Sequence, residues 1–503
     1  MSELEAIPER MVAVSPVVVV VGDAILDRWW IGSSARLSRE APAPVVDVTD
    51  SRSAAGGAAN AALNAVALGG TVRFAGVVGA DAAGDDVLQL LDAAGVDCAA
   101  VLRDAGAVTP VKTRIVADDQ VLVRADHTGR SNPGADEGAD ESPGRAPMRS
   151  TRLAGELADA LTAALDGAAA LLVSDYGGAP LEAAVRTALA GRRPPHVVVD
   201  AHDPARWSRI RPDLVVPNAQ EAEALVGGSL GAGRARVDRV VASAERLLGA
   251  AGAAGMVVTL DRDGTVALRP GRPPSVTRAH PVAEKYASGA GDTFAAALTT
   301  ALAVGEPLED AARIAQRAAD VVVRTLGTTV CSAADLAAEL AAPPRVLAAA
   351  ELARAVARDR GEGRRIVFTN GCFDVLHLGH TAYLQEAKQL GDRLIVAVNG
   401  DASVRRLKGA GRPVNDETDR AGVLAALECV DYVTVFDADT PVDLIEALQP
   451  DVYVKGGDYT PDMLPETPTV LAYGGEVRTV GYVADHSTTS VVDRIRANVD
   501  DPV

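Results

Sequence analysis

The sequence predicts an α/β protein of two successive domains, each a largely parallel sheet flanked by helices. Three observations predict it. Short valine-rich runs, each closing on Asp or Asn, recur through the first two thirds: VVVVVGD to Asp23, LLVSD to Asp175, VVVD to Asp200, LVVPN to Asn218 and MVVTLD to Asp261. Runs apolar on both faces are the pattern of buried parallel strands whose carboxyl ends open on a crevice. A second series of strands, near Ile366, Leu394 to Val398, Tyr432 to Phe436 and Val452 to Val454, follows a break at Ala341-Ala342-Pro343-Pro344. Finally, 48% of residues are apolar but only 3% aromatic, so Ala, Val, Leu and Gly must fill the core. Small side chains suit closely approaching helices and sheets and argue against an all-β sandwich.

A chain of 503 residues exceeds the roughly 100 to 200 residues of one domain, so two cores are expected. The first domain is expected over 12–335 and the second over 364–503, joined by a linker, 336–363, that carries a helix from Leu347 to Asp359. Within the first, the tract His127 to Ser150 has no hydrophobic period and is dense in Gly, Pro, Ser and charge. It reads as a disordered surface loop rather than a boundary, because strands of the same style resume after it.

The net charge of −19 argues against nucleic acid as a partner, since a phosphate backbone rewards surplus Lys and Arg. Cys98, Cys331, Cys372 and Cys429 show no CxxC pairing; neither a disulfide framework nor a structural zinc site is indicated, and a reducing cytoplasm fits. The run Val17 to Val21 is far too short to span a bilayer and follows an acidic start, so neither a membrane partner nor a targeting segment is expected.

Chemistry concentrates in two places. In TNGCFDVLHLGH, Thr369 to His380, a strand ends at Thr369, a glycine turn follows, and His377 and His380 stand three apart. On a first helical turn that spacing puts both imidazoles on one face, where they can contact a triphosphate. Nucleotidyl transfer asks the protein mainly for cations, imidazoles and helix N-terminal amides around phosphate. Two surface histidines, or two ligands of a zinc site, are the alternatives. In Ser288-Gly289-Ala290-Gly291-Asp292-Thr293 a flexible backbone opens an Ala-rich helix with a carboxylate just behind it. Amides there suit developing phosphate charge while Asp292 accepts a hydroxyl proton; a glycine turn capped by Asp292 is the bland alternative.

The C-terminal segment resembles the cytidylyltransferase-like nucleotidyltransferases, of Rossmann-like α/β fold, through His377-Leu378-Gly379-His380 and an ordered series beyond it. That series is KQLGD (Lys388 to Asp392), VNGD (to Asp401), RLKG (Arg406 to Gly409), RPVN (Arg412 to Asn415), Arg420, KGGDY (Lys455 to Tyr459) and STT (Ser487 to Thr489). The resemblance implies that His377 and His380 hold the transferred phosphoryl group and that Lys388 neutralises nucleotide phosphates. It places Thr369, Asn370, Gly371, Phe373, Asp374, Lys408, Arg412, Lys455, Gly456 and Asp458 around the nucleotide, with Ser487, Thr488 and Thr489 cradling the triphosphate. A sugar phosphate oxygen would attack and displace pyrophosphate. Cys372 has no job in this reaction and reads as a packing residue.

The first domain is similar to the ribokinase-type sugar kinases, a ribokinase-like α/β fold, on GAGD, GGAAN (Gly56 to Asn60) and PNAQE (to Glu221). That likeness implies ATP-dependent phosphorylation of a sugar hydroxyl, with Asp292 as base and Gly289, Ala290 and Gly291 as anion hole. Asn218 and Glu221 would organise Mg²⁺ and ATP; Mg²⁺ would ride on the nucleotide rather than in a protein cage, with Glu221 the candidate protein contact. Asp23, Asp27, Gly56, Gly57 and Asn60 would line the sugar site. For the glycines, close packing is the competing role, and for Asp27 an ion pair with a neighbour such as Arg28. Tyr286 stands where that family carries an acid.

The order of the two halves, with LSREAPAPVV (Leu37 to Val46) and SDYGG (Ser174 to Gly178), resembles the bifunctional heptose 7-phosphate kinase and heptose 1-phosphate adenylyltransferase family. The resemblance implies ATP as substrate, homodimers or other homo-oligomers, and a separate phosphatase acting between the two steps of ADP-heptose synthesis. Lys112, Arg114 and Arg124 are candidates to meet the sugar's existing phosphate, with solvated strand-edge charge the alternative. His202 stands where the family tends to carry lysine. Another sugar phosphate, another nucleotide, or a decayed kinase half that only binds ligand are the competing readings.

Overall fold

The computed structural model describes residues 4–117, 120–128, 145–177, 181–279, 289–324, 327–341, 346–409, 411–456 and 460–480. The chain divides into two compact units, Met1–Ala342 and Pro343–Val503.

In the first unit the strands are β1 (Val17–Gly22), β2 (Ala24–Leu37), β3 (Pro44–Gly57), β4 (Thr71–Gly79), β5 (Asp97–Asp104), β6 (Val111–Ala117) and β7 (Gln120–His127). There follow β8 (Ala170–Asp175), β9 (His196–Ala201), β10 (Leu214–Val215), β11 (Met256–Thr259), β12 (Thr265–Leu268) and β13 (Ser275–Thr277). Nine of them form one sheet in the order β13-β12-β11-β10-β9-β8-β1-β4-β5, parallel from β11 to β5, while β3-β2-β6-β7 form a smaller second sheet. All five valine-rich runs therefore lie side by side in the large sheet. Strand alternation sends Val18, Val20 and Leu172 to one face, against the helix Ala290–Ala303, and Val19, Val21 and Leu171 to the other. LVVPN forms only two ladder residues, because Pro217 has no N–H to donate.

The second unit carries β14 (Ile366–Gly371), β15 (Arg393–Asn399), β16 (Tyr432–Phe436), β17 (Val452–Gly456) and β18 (Glu476–Val480), all parallel, in the order β16-β15-β14-β17-β18. This is the doubly wound order, whose winding reverses between β14 and β17.

Three expectations are corrected. The tract 127–150 is not loop throughout: His127 closes β7, and a helix, Arg145–Ala164, takes its last six residues. Proline is compatible with a first helical turn, so Pro147 does not block that start, and Leu153, Leu157 and Leu161 then repeat every fourth residue on a buried face. The segment 336–363 is not a free linker. Its helix, Ala349–Gly361, buries Leu352, Ala355 and Val356 in the second unit's core. Finally, β14 runs two residues past Thr369, to Gly371. Among the described residues no helix is long and apolar enough to cross a membrane.

Candidate active sites

The large sheet reverses its winding between β1 and β8, and the first site gathers at their carboxyl ends. Asp23, just past β1, accepts the backbone N–H of Tyr176, just past β8, at 2.8 Å. Above them the helix Ala290–Ala303 begins. Its N-cap, Gly289, lies at φ 83°, a left-handed conformation that favours glycine, and a Cβ there would fall 2.9 Å from Asn60 Nδ2. Asp292, in the first turn and 5% exposed, accepts hydrogen bonds from Tyr176 Oη at 2.7 Å and Asn60 Nδ2 at 3.0 Å. Burial outweighs both donors and holds its carboxyl up at about 6.

Beside it a cavity of about 110 Å³ is lined by Gly291, Asp200, His202, Asn218, Glu221 and Thr259, among others. Asn218 and Glu221 form a reciprocal cap on the helix Ala219–Val226, at 2.9 and 2.8 Å, and Glu221 also takes His202 Nδ1 at 2.9 Å. Their capping role is thus visible, and the same carboxylate edges the cavity. Asp200, half-buried at the end of its strand, faces Asp292 and Glu221, and desolvation first, then those charges, push it well above the ordinary range. So acidic a cleft accepts a triphosphate only with cations in attendance. Among the described residues no three His, Cys, Asp or Glu side chains converge to cage a metal. The donor chemistry, carboxylate oxygen from Glu221 beside an open cavity, suits an ion carried in on phosphate.

On the sugar side the glycines let acids close in: a Cβ on Gly56 would sit 2.7 Å from Asp27 Oδ2, and Gly57, at φ 58°, would meet Asp23 O at 2.8 Å. Asp27 pairs with Arg114 at 2.9 Å and with Thr328 Oγ1 at 2.9 Å. It does not pair with Arg28, which reaches Asp86 instead. Arg114, stacked over Trp29, is thereby neutralised, and Arg124 lies on the exposed edge strand held by Asp126. Arg114 is thus committed to an acid of the sugar crevice, and Arg124 to a neighbour on its own exposed strand. Lys112, two residues from Arg114 on the same strand, also turns inward, its Nζ 5.2 Å from the centre of the Tyr176 ring.

In the second unit the site again sits at the switch point. His377 is the N-cap of the helix Leu378–Lys388 and His380 lies in its first turn, with ring centroids 3.9 Å apart. Burial, then the charges of His377 and Lys408, depress His380 to about 4, so it is neutral at physiological pH. Its Nδ1 is buried with no hydrogen-bond partner among the described residues. Phe373, at φ 44°, packs on the His380 ring at 5.4 Å and beneath Gly371. Thr369 bonds Tyr383, whose hydroxyl reaches Val454 O. Asn370 Oδ1 accepts from both Lys455 Nζ at 2.8 Å and Tyr453 Oη at 2.9 Å, and Gly456 follows at the end of β17. Asp374 is fully engaged by Arg412 and by the amides of Val414 and Asn415. Lys408 ends the helix Asp401–Lys408, exposed, its charge felt at His380.

Lys388 lies away from the phosphate site that its motif implies. It closes its helix eleven residues after His377, about 16 Å along the axis. There its Nζ bonds Asp431 at 2.5 Å and Asp392 O at 2.6 Å, at the amino ends of β15 and β16. Helical rise puts it at the wrong end of the sheet for phosphate. Ser288, Tyr286, Asp458 and Ser487 to Thr489 lie outside the described residues. Tyr176, Asp200 and Thr328 join the kinase site with little sequence signal of their own: the first two belong to SDYGG and VVVD, and no motif contains Thr328.

Residues 16–142 and 152–335 match the pfkB family carbohydrate kinases, and 368–492 the cytidylyltransferase-like family. The chain is 43% identical to the bifunctional protein HldE of Halorhodospira halophila and 41% identical to that of Azotobacter vinelandii, each over 95% of this chain and 97% of the relative. Among solved structures it is similar to Arabidopsis thaliana ribokinase complexed with ribose and ATP, at 22% identity and TM-score 0.49, over 65% of this chain and 99% of that one. Fold and sites together define a carbohydrate kinase joined to a nucleotidyltransferase. The chain belongs to the bifunctional HldE family, the heptose 7-phosphate kinases and heptose 1-phosphate adenylyltransferases that its motifs resemble.

Proposed function

We propose that Asp292 is the base of the heptose 7-phosphate kinase and that the His377–His380 pair stabilises the phosphoryl group transferred by the adenylyltransferase. The observation that carries this is the burial of Asp292 at a helix N-terminus, between the cavity edged by Glu221 and the crevice lined by Asp23 and Asn60. In the first reaction the sugar hydroxyl attacks the γ-phosphorus of ATP, its proton passes to Asp292 and ADP leaves, giving heptose 1,7-bisphosphate. The amides of Gly289 to Gly291 meet the charge that develops on the phosphoryl group. Glu221 would hold Mg²⁺ carried on ATP, and the ion would supply charge neutralisation for the phosphates.

After a separate phosphatase removes the 7-phosphate, the second site joins heptose 1-phosphate to ATP. The sugar phosphate oxygen attacks the α-phosphorus and pyrophosphate leaves. That oxygen is already anionic, so the site needs alignment and charge stabilisation rather than a base. A neutral His380 donates a hydrogen bond to phosphate, and Lys455, held by Asn370, adds a cation. The enzyme works in the cytoplasm, where both sugar phosphates and ATP are at hand. It assembles as a homo-oligomer through the small sheet, whose edge strand β7 exposes Val121, Leu122 and Val123.

Pyrophosphate release with heptose 1-phosphate and each of ATP, CTP, GTP and UTP tests the second half of this reading. ATP is expected to lead by at least tenfold, about 1.4 kcal/mol of discrimination. Equal or faster release with CTP or GTP sinks the adenylyl assignment.

A further inference from the structure

We infer that Tyr176 is a positioning residue of the kinase. Its hydroxyl clamps one oxygen of the Asp292 carboxylate while Asn60 clamps the other, so the base presents a fixed lone pair to the incoming sugar hydroxyl. The inference rests on the assignment of Asp292 as base.

Three features of the geometry carry it. The two donors come from distant parts of the chain, at 2.7 and 3.0 Å, and grip opposite oxygens, so rotation of the carboxylate breaks one or both bonds. Each carboxylate oxygen keeps a second acceptor position, so the clamp leaves room for substrate. Tyr176 is itself held on every side. Its backbone N–H is bound to Asp23, its ring is met edge-on by His202 at 5.0 Å, and Lys112 Nζ lies 5.2 Å from the ring centre. The turn behind it is fixed by Asp175, which takes the Gly177 N–H at 2.8 Å and Trp207 Nε1 at 3.0 Å.

The direction of the Tyr176–Asp292 bond is set as well. Burial, with Asp292 and Asp200 nearby, keeps the phenol protonated well above its ordinary range, so Tyr176 donates and does not compete as a base. Around Asp292 stand Asp27 from β2, Lys112 from β6 and Asp200 from β9, with Asn60 from the helix Ala58–Ala67. Of these, Tyr176, Asn60 and Lys112 favour the ionised carboxylate and Asp27 and Asp200 oppose it. Removing the phenol oxygen tips that balance toward the protonated acid, and the pH below which the base is lost must rise.

The test compares wild type, Tyr176→Phe and Asp292→Asn with ATP and heptose 7-phosphate from pH 5 to 9. Phenylalanine keeps the ring and its contacts with Lys112 and His202. The expected result for Tyr176→Phe is an acid limb displaced upward by about one pH unit. A roughly tenfold loss of kcat/KM at pH 7 should recover in part above pH 8, with KM for ATP unchanged. A limb and rate equal to wild type overturn the inference, as does a uniform loss at all pH values with a raised KM for ATP, the mark of a merely structural role. Asp292→Asn with wild-type turnover would instead sink the base assignment on which the inference stands.

Discussion

Asp292→Asn is expected to lower kinase turnover by about 10²- to 10⁴-fold, the usual worth of a positioned general base, while adenylyl transfer to heptose 1-phosphate is untouched. The amide keeps the size of the carboxyl and removes its ability to take a proton. The pH dependence of the wild type has its own signature. With the free-enzyme carboxyl held up at about 6 by burial, kcat/KM for phosphorylation must fall as the pH drops below about 6. A shallower burial would place that limb near 4, the range of an ordinary Asp. A kinase whose kcat/KM stays flat down to pH 4.5 does not use this group as its base.

His380→Ala is expected to cut adenylyl transfer by about 10²- to 10³-fold, the cost of losing one preorganised donor to a transition-state oxygen, and to leave phosphorylation of heptose 7-phosphate intact. His380 sits in the first turn of its helix with its ring stacked against His377 and Phe373, so alanine removes the donor without breaking the helix. Lys388→Ala makes the contrast. Its ammonium is committed to Asp431 and the Asp392 carbonyl at the far end of the sheet. It is expected to leave the rate within about twofold and to cost about 1 kcal/mol of stability, read by steady-state kinetics and urea unfolding of the same sample.

Much of this architecture was legible in the sequence, and the parts that were not share a physical cause. The valine runs declare their strands because both faces of a parallel sheet are buried. The closing Asp or Asn of each run then falls at the carboxyl edge, where Asp23, Asp175, Asp200 and Asn218 are found. GAGD and HxGH were legible because a glycine turn, a helix start and the reactive group are contiguous in sequence. Partnerships across the fold were not. Asp27 finds Arg114, 87 residues on, rather than adjacent Arg28. Tyr176 bonds an aspartate 116 residues away, and Thr328 meets Asp27 over 301. No local pattern encodes such distances. Lys388 was a different failure, because the helical rise from His377 was available in the sequence and placed it out of reach. The polar tract ahead of Leu153 misled because composition registers Pro147 as a breaker, whereas a helix tolerates proline in its first turn.

The central claim is that one chain carries two independent sites for the first and third of three consecutive reactions. It is tested most directly by mixing Asp292→Asn with His380→Ala protein, adding ATP, heptose 7-phosphate and a sugar bisphosphate phosphatase, and measuring ADP-heptose. Each variant alone is expected to make it about a hundredfold or more slowly than wild type, and the mixture at a rate comparable to wild type. A mixture no faster than either variant alone, or an Asp292→Asn protein that by itself makes ADP-heptose from heptose 7-phosphate at the wild-type rate, contradicts the account.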